Sequence, residues 1–445
     1  MALDSVSSSF LIFGGILLIG YIGDLLSKRF SIPSALLLLL IGFLLQTTGY
    51  VDTLSLMPIQ ELFGSLALII LLFDGGLSTN IFDVLLKSGR VMVVAVLMTI
   101  FGIISAILIF IALGLDPLLG AILGAISGGI GASVTISIIR SLNIPDNIRN
   151  FLTLESSITD VLSIILALVL IEALISGSID IQLIGQGILS KFSIGILLGF
   201  VIGLFSLALM SKIQKGYNYM MAFALVLVLY ALVEYLGGSG AISVLTFGLV
   251  FGNESAIRNF FKINPGEEHH SIKQFQAEVS FFIRTFFFVF LGAIVTLGDV
   301  TNLFIALLFI ILIYIARYVS VKFVTSNTEY ADYSTVLSVI NARGLATAVL
   351  ATYPVFAIKN ALIQNPTDYL TVLLDQAARV PEIAFYIIII SILFTTILVP
   401  YFVGKANGNN KKPKKSKKAK AEEEELEPES RFEAEDDDES PDINV

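Results

Sequence analysis

Apolar runs of about 20 residues recur through the first 404 positions and are interrupted by short polar or Gly/Pro-containing stretches. They lack the period-two alternation of a half-buried strand, so the pattern predicts helices. Thirteen runs can be placed, at 8–26, 31–47, 59–76, 89–114, 116–141, 150–175, 188–211, 217–236, 239–253, 276–297, 301–324, 334–356 and 381–404. Most approach the length needed to cross a hydrocarbon layer of about 30 Å. The expected fold is an all-α polytopic membrane protein with about 13 transmembrane helices, not a β-barrel of the porin kind. The first run has neither a basic leader nor a small-residue cleavage site, and is expected to be a helix rather than a signal peptide.

Composition agrees with the pattern: 56% of residues are hydrophobic and only 14% charged, against about 25% charged in a soluble domain. With no cysteine anywhere, thiol catalysis, disulfides, cysteine-ligated zinc and iron–sulfur clusters are excluded. No Walker sequence, nucleophile elbow, HExxH or dinucleotide fingerprint is present, so neither a nucleotide-driven pump nor an intramembrane enzyme finds its machinery in this chain. No resident cofactor and no nucleic-acid partner are expected.

Charge divides the chain in two. The segment 405–445 holds 9 of the 27 Lys+Arg and 13 of the 36 Asp+Glu. Its basic block, Lys411 to Lys420, precedes an acidic block, Glu422 to Asp442, that is poor in apolar residues, and the segment is expected to be a disordered cytoplasmic tail. Residues 1–404 form the transmembrane domain. Lys28, Arg29, Lys87, Arg90, Arg140, Arg149, Lys212, Lys215, Arg258, Lys262, Lys273 and Lys322 fall in alternate loops, whereas only Lys191, Lys359 and Arg379 fall between them. Basic loops stay in the cytoplasm. That places the N-terminus outside the cell membrane and the C-terminus inside, with the basic block beside anionic lipids.

Ionisable residues at bilayer depth are costly and therefore candidates for function. The sixth run contains Glu155-Ser156-Ser157-Ile158-Thr159-Asp160, the eleventh Ala316-Arg317, the twelfth Asn341-Ala342-Arg343-Gly344, the third Asp74-Gly75-Gly76 and the tenth Arg284. Positions four apart share a helix face, so Ser156 lies over Asp160 while Glu155 and Thr159 occupy another face. A carboxylate with a hydroxyl one turn away is half of a hard-cation site, which unwound backbone carbonyls would complete. Glu155 instead calls for a fixed cation, from Arg317 or Arg343. An unpaired carboxyl such as Asp160 can take up and release a proton, whereas one held by a guanidinium cannot. Asp74 sits toward the cytoplasmic end of its run, as a funnel or interfacial residue. Glu172, Glu234 and Asp24 fall at run ends, where hydration is expected, and Glu267-Glu268-His269-His270 reads as a solvated loop. The fifth run is interrupted by Ser127-Gly128-Gly129-Ile130-Gly131-Ala132-Ser133 and the twelfth by Asn341 to Gly344, with Pro354 near its end. Such breaks in apolar helices expose amide and carbonyl ends to an ion at the membrane midplane, and their corresponding positions suggest an inverted repeat.

Taken together these residues resemble the monovalent cation/proton antiporter superfamily, nearest to the NhaP-type sodium/proton exchangers. Glu155, Ser156, Thr159 and Asp160 occupy that family's Glu-Ser-x-x-Asn-Asp stretch. The run Phe286 to Ala293 is similar to its Phe-x-Phe-Leu-Gly element, Ala316-Arg317 to its Ala-Arg, and Arg343-Gly344 to its Arg-Gly. The resemblance covers roughly residues 8–404. It implies a homodimer in which a core domain bearing the ion site moves against a dimerisation domain, with Asp160, Ser156, Thr159 and Ser133 as ion and proton ligands. It implies exchange of sodium, or of potassium or lithium, for protons, in the service of pH homeostasis. Two positions depart from the pattern: Thr159 replaces an Asn, and Ile130-Gly131-Ala132 replaces Thr-Asp-Pro, removing one acidic ligand. With Asp160 as the single titrating ligand the exchange would be electroneutral, and Glu155 with Arg317, or alternatively Arg343, would hold the site's shape. The competing reading is a cation-coupled symporter of an organic anion on a related fold.

Overall fold

The computed structural model describes residues 11, 14–23, 25, 33–48, 53–79, 89–140, 142–176, 181–210, 218–261, 270–294 and 299–410. In chain order the helices are α1 (Gly14–Gly23), α2 (Ser34–Thr47), α3 (Thr53–Ser78), α4 (Gly89–Ala112), α5 (Pro117–Ser127), α6 (Ala132–Arg140), α7 (Asp146–Ser176), α8 (Ile181–Met210) and α9 (Asn218–Tyr235). They continue with α10 (Gly240–Gly252), α11 (Glu254–Phe261), α12 (His270–Ile294), α13 (Val300–Thr325), α14 (Ser334–Val339), α15 (Leu345–Gln364), α16 (Asp368–Ala377) and α17 (Arg379–Asn410). No strand occurs among the described residues. Six helices there are long and apolar enough to cross a membrane, or seven if α10 and α11, bent by 79°, count as one broken span. Helix α1, α2, α5 and the stretches 64–78 and 220–235 are apolar but shorter.

Helices meet without side chains between them where glycine permits it. On α2, Gly42 faces the Val289 carbonyl of α12, and Gly292 faces the Leu39 carbonyl in return. Likewise Gly102 of α4 lies against Gly124 and Gly128 at the end of α5. In lipid, where apolar helices gain little from leaving their solvent, this close backbone approach is a principal source of packing energy. Outward faces stay apolar, as at Ile104 and Leu108 on α4, and Ile311 and Ile315 on α13.

The pattern of apolar runs differs from the helices in instructive places. The run 116–141 is two helices: Asp116 caps α5 by accepting from Leu118 N–H at 2.8 Å with Pro117 at its first turn, and the chain unwinds at 128–131 before α6. The run 334–356 is also two helices separated by 340–344, and its second half passes through Pro354 to Gln364, since apolar neighbours on both sides favour continuing the helix in a membrane. Short α16 lies beyond, too brief to register as a run; Gln376 on it accepts the Asp116 N–H at 2.7 Å. Helix α7 starts at Asp146, where Arg149 pairs with Asp146 at 2.7 Å. Helix α17 continues past 404 to Asn410. The chain divides into two compact units, Met1–Val403 and Gly404–Val445. Residues 411–445, Asp24 and the 267–269 part of the Glu/His cluster lie outside the described residues.

Candidate functional site

Helix α7 runs through the middle of the first unit, packed by α4, α5, α6 and α15. It carries the candidate residues on two faces. Glu155, Ser156 and Thr159 have no exposed surface, while Asp160 retains some.

Beside α7 the two unwound segments touch. Gly131 N–H donates to the Ala342 carbonyl at 2.9 Å. A Cβ on Gly131 would lie 2.5 Å from the Gly344 nitrogen, so the two backbones meet with no room for a side chain. Thr159 ties this crossing to α7: its Oγ1 lies 3.0 Å from the Ile130 carbonyl and 3.0 Å from the Glu155 carbonyl of its own helix, sharing one proton between them. Gly129 packs directly on the Thr159 side chain. Asp160 then faces the start of α6, where its Oδ2 accepts the Ala132 N–H at 3.2 Å. A carboxylate at a helix N-terminus meets unsatisfied amides and the positive end of the helix dipole. Among the described residues no cation pairs with Asp160. Asp74 on α3 is near enough to act on it electrostatically, and Arg284 on α12 acts in turn on Asp74.

Glu155 is occupied differently. Arg317 on α13 grips it with Nη1–Oε1 at 2.6 Å and Nη2–Oε2 at 3.1 Å, both side chains fully buried. The third donor, Arg317 Nε, reaches the Leu337 carbonyl at 3.0 Å, in the last turn of α14. Arg343, the second of the two partners the sequence left open for Glu155, makes no bond to it. It points to carbonyls: Nε donates to Ser127 O at 2.5 Å and Nη1 to Asn341 O and Oδ1 at 2.5 and 2.6 Å. The two half-helices that end at the crossing, α5 and α14, thus each place their final carbonyls on an arginine, the charge that a helix C-terminus favours.

Of the remaining expected ligands, Ser156 donates to its own helix at Thr153 O, 2.9 Å away, leaving its oxygen lone pairs for another partner. The Ser133 side chain lies outside the described residues. Within the interruptions, Gly128 still has helical angles as the cap of α5, and Ala132 opens α6, so the first break centres on Ile130-Gly131, where no helix is formed. Away from the crossing, Glu172 pairs with Lys191 at 2.6 Å, and Glu234 accepts the Gly240 N–H at 2.8 Å. The sequence reading did not single out three hydroxyls that hold the second break: Ser391, Thr395 and Thr347. Ser391 accepts Arg343 N–H at 3.1 Å, Thr395 accepts Asn341 N–H at 3.3 Å, and Thr347 donates to Ile126 O at 2.7 Å. The signal for the first two was available in α17, where Ser391 and Thr395, with Thr396 beside it, interrupt a long apolar stretch four residues apart.

A family model described as the transmembrane sodium/hydrogen exchanger matches residues 14–404. The K(+)/H(+) antiporter NhaP2 of Shewanella sp. (strain MR-4) is 27% identical over 379 residues, which are 80% of this chain and 62% of that protein. The K(+)/H(+) antiporter NhaP of Alkalimonas amylolytica is 26% identical over 410 residues, 88% of this chain and 66% of that protein. This chain therefore spans somewhat less than two thirds of the length of these curated relatives. Among solved structures, that of the sodium proton antiporter MjNhaP1 from Methanocaldococcus jannaschii at pH 8 superposes with a TM-score of 0.71 at 21% identity, covering 89% of this chain and 100% of that one. The likeness is one of fold.

Proposed function

Because the chain belongs to the sodium/hydrogen exchanger family, of NhaP type, we propose that it is a secondary antiporter in which one monovalent cation and one proton compete for Asp160. The observation that carries this reading is the state of that carboxylate: partly accessible, held by one long amide contact, and without a cationic partner among the described residues. The neighbouring Glu155 supports it by contrast, since a bidentate guanidinium occupies both its oxygens and leaves it for architecture. Lone pairs of Ser156 and nearby carbonyls complete the shell that a hard cation takes. The cation is an alkali ion: sodium by the sequence resemblance, with potassium brought forward by the names of the curated relatives. Lithium is the third candidate. With one unpaired titrating ligand at the crossing, each cation exchanges for one proton and the cycle is electroneutral. Alternating access carries the crossing and α7 as a block against the rest of the transmembrane domain, in a homodimer of the plasma membrane.

Purified protein in liposomes with a trapped pH dye tests the reading. Pulses of sodium, potassium or lithium should shift internal pH without any organic solute, and Asp160→Asn, nearly isosteric but unable to ionise, should abolish the shift. Full exchange by Asp160→Asn would remove Asp160 from the mechanism. Clamping the membrane potential with valinomycin and potassium should leave sodium-driven exchange unaltered. A rate that follows the imposed potential would mean that a second carboxylate, with Asp74 the nearest candidate, also titrates.

A further inference from the structure

The second break needs something to hold it. An extended segment inside a membrane protein loses its helical hydrogen bonds, and each orphaned amide must find another partner or remain at a cost. For residues 341–343 the partners alternate. The carbonyl of Ala342 turns toward the first break and accepts from Gly131. The amides of Asn341 and Arg343 turn the other way, onto Thr395 and Ser391 of α17.

The spacing explains why a helix can serve here as a strand's neighbour. Four residues of α-helix rise about 6 Å, and two residues of extended chain advance about 6.6 Å. Hydroxyls at 391 and 395 therefore stand at nearly the same interval as the amides at 341 and 343, and both bonds form together. Neither hydroxyl is free to wander: Ser391 donates to Ile388 O at 3.0 Å, and Thr395 meets the Tyr314 hydroxyl of α13 at 3.3 Å. Ser391 is 1% exposed and Thr395 not at all. Arg317, one turn along α13 from Tyr314, holds the end of α14. Helix α13 thus holds α14 just before the break and α17 holds the break itself, while Arg343 reaches from it to Ser127.

We propose that Ser391 and Thr395 are positioning residues for the exchange reaction: as a two-rung hydroxyl ladder on α17 they fix the register of residues 341–343 against the first break, and through it the geometry of the cation shell at Asp160. The proposal rests on the exchange reading above. It assigns α17 to the block that moves with the crossing. Removing both hydroxyls loosens the crossing, so the loss falls on cation affinity rather than on turnover, because the titrating carboxylate itself is untouched.

The test compares Ser391→Ala, Thr395→Val and the double variant with the conservative Ser391→Thr and Thr395→Ser in the full chain. In liposomes each of Ser391→Ala and Thr395→Val should raise the cation concentration at half-maximal exchange by about tenfold, the effect of one orphaned buried donor, and the double variant by more, with the saturated rate changed less than the affinity. The conservative variants should restore the unaltered value. Amide hydrogen exchange on the same proteins should show 341 and 343 losing protection in the Ala/Val variants while α15 keeps its own. Folded Ala/Val variants with unaltered half-saturation would overturn the proposal, as would amides at 341 and 343 that stay protected without the hydroxyls. The single variants and the amide measurement decide the matter if the double variant does not assemble. Should the unaltered chain move no ions, the exchange reading fails; protection of these two amides independent of the hydroxyls would be the separate failure of the ladder.

Discussion

Burying a charge fixes its partner. Glu155 and Arg317 have no exposed surface and share two hydrogen bonds, so removing either leaves the other charged in a dry interior at a cost of about 3–5 kcal/mol. Arg317→Ala is expected to lower the melting temperature in detergent sharply, and Glu155→Gln added to it should recover part of the loss. A double variant no better than the sum of the singles would show that the two do not couple. Arg317→Lys should recover little, since a single ammonium nitrogen cannot present the planar fork to both carboxylate oxygens and also reach the Leu337 carbonyl. Gly131 carries a sharper expectation. It stands within the stretch where the resembled family has Thr-Asp-Pro, yet any side chain there meets the Gly344 backbone. Gly131→Asp should therefore yield less folded protein instead of an extra ligand, as measured by the monodisperse fraction after purification. Charged residues in apolar runs were legible from sequence because they violate the run. The hydroxyls of Ser391 and Thr395 carry no such mark, since a few small hydroxyls within a long apolar run leave its pattern undisturbed.

At the scale of elements, the breaks were visible as clusters of glycine and polar residues, and their contact was not. Sequence spacing says where a helix stops; it carries no information on which carbonyls a guanidinium two hundred residues away will reach, as Arg343 reaches Ser127. Helix ends toward the surface follow simpler rules. Asp299 caps α13 by accepting from Thr301 N–H at 2.9 Å, and Arg379 at the start of α17 pairs with it at 3.0 Å. The Thr301 hydrogen bonds, with Arg379 adding a smaller effect, hold the Asp299 carboxyl below its ordinary 3.8. A depressed carboxyl stabilises the fold fully above its ordinary value and ceases to do so as pH falls through the lower native one. Asp299→Asn keeps a capping oxygen and removes the titration. Its melting temperature should therefore fall less steeply than that of the unaltered chain on acidification below pH 4; parallel curves would show that the cap does not depend on charge.

For the whole molecule, composition and the length of the apolar runs sufficed for an all-helical membrane fold, while the ordering of helices around α7 depends on contacts that no periodicity encodes. Charge composition also sets the segment 421–445 apart. Because it is acidic and poor in apolar residues, deleting residues 421–445 should leave exchange in liposomes intact. Lost exchange by a folded truncated protein would make that segment a working part of the transporter. One consequence remains with the crossing, where Gly131 and Gly344 meet backbone to backbone. A side chain added at Gly131 would have to displace a backbone, so this point has none of the slack that rotamers give to packing elsewhere. If the protein opens toward one face and then the other as proposed above, the crossing is expected to travel as one piece.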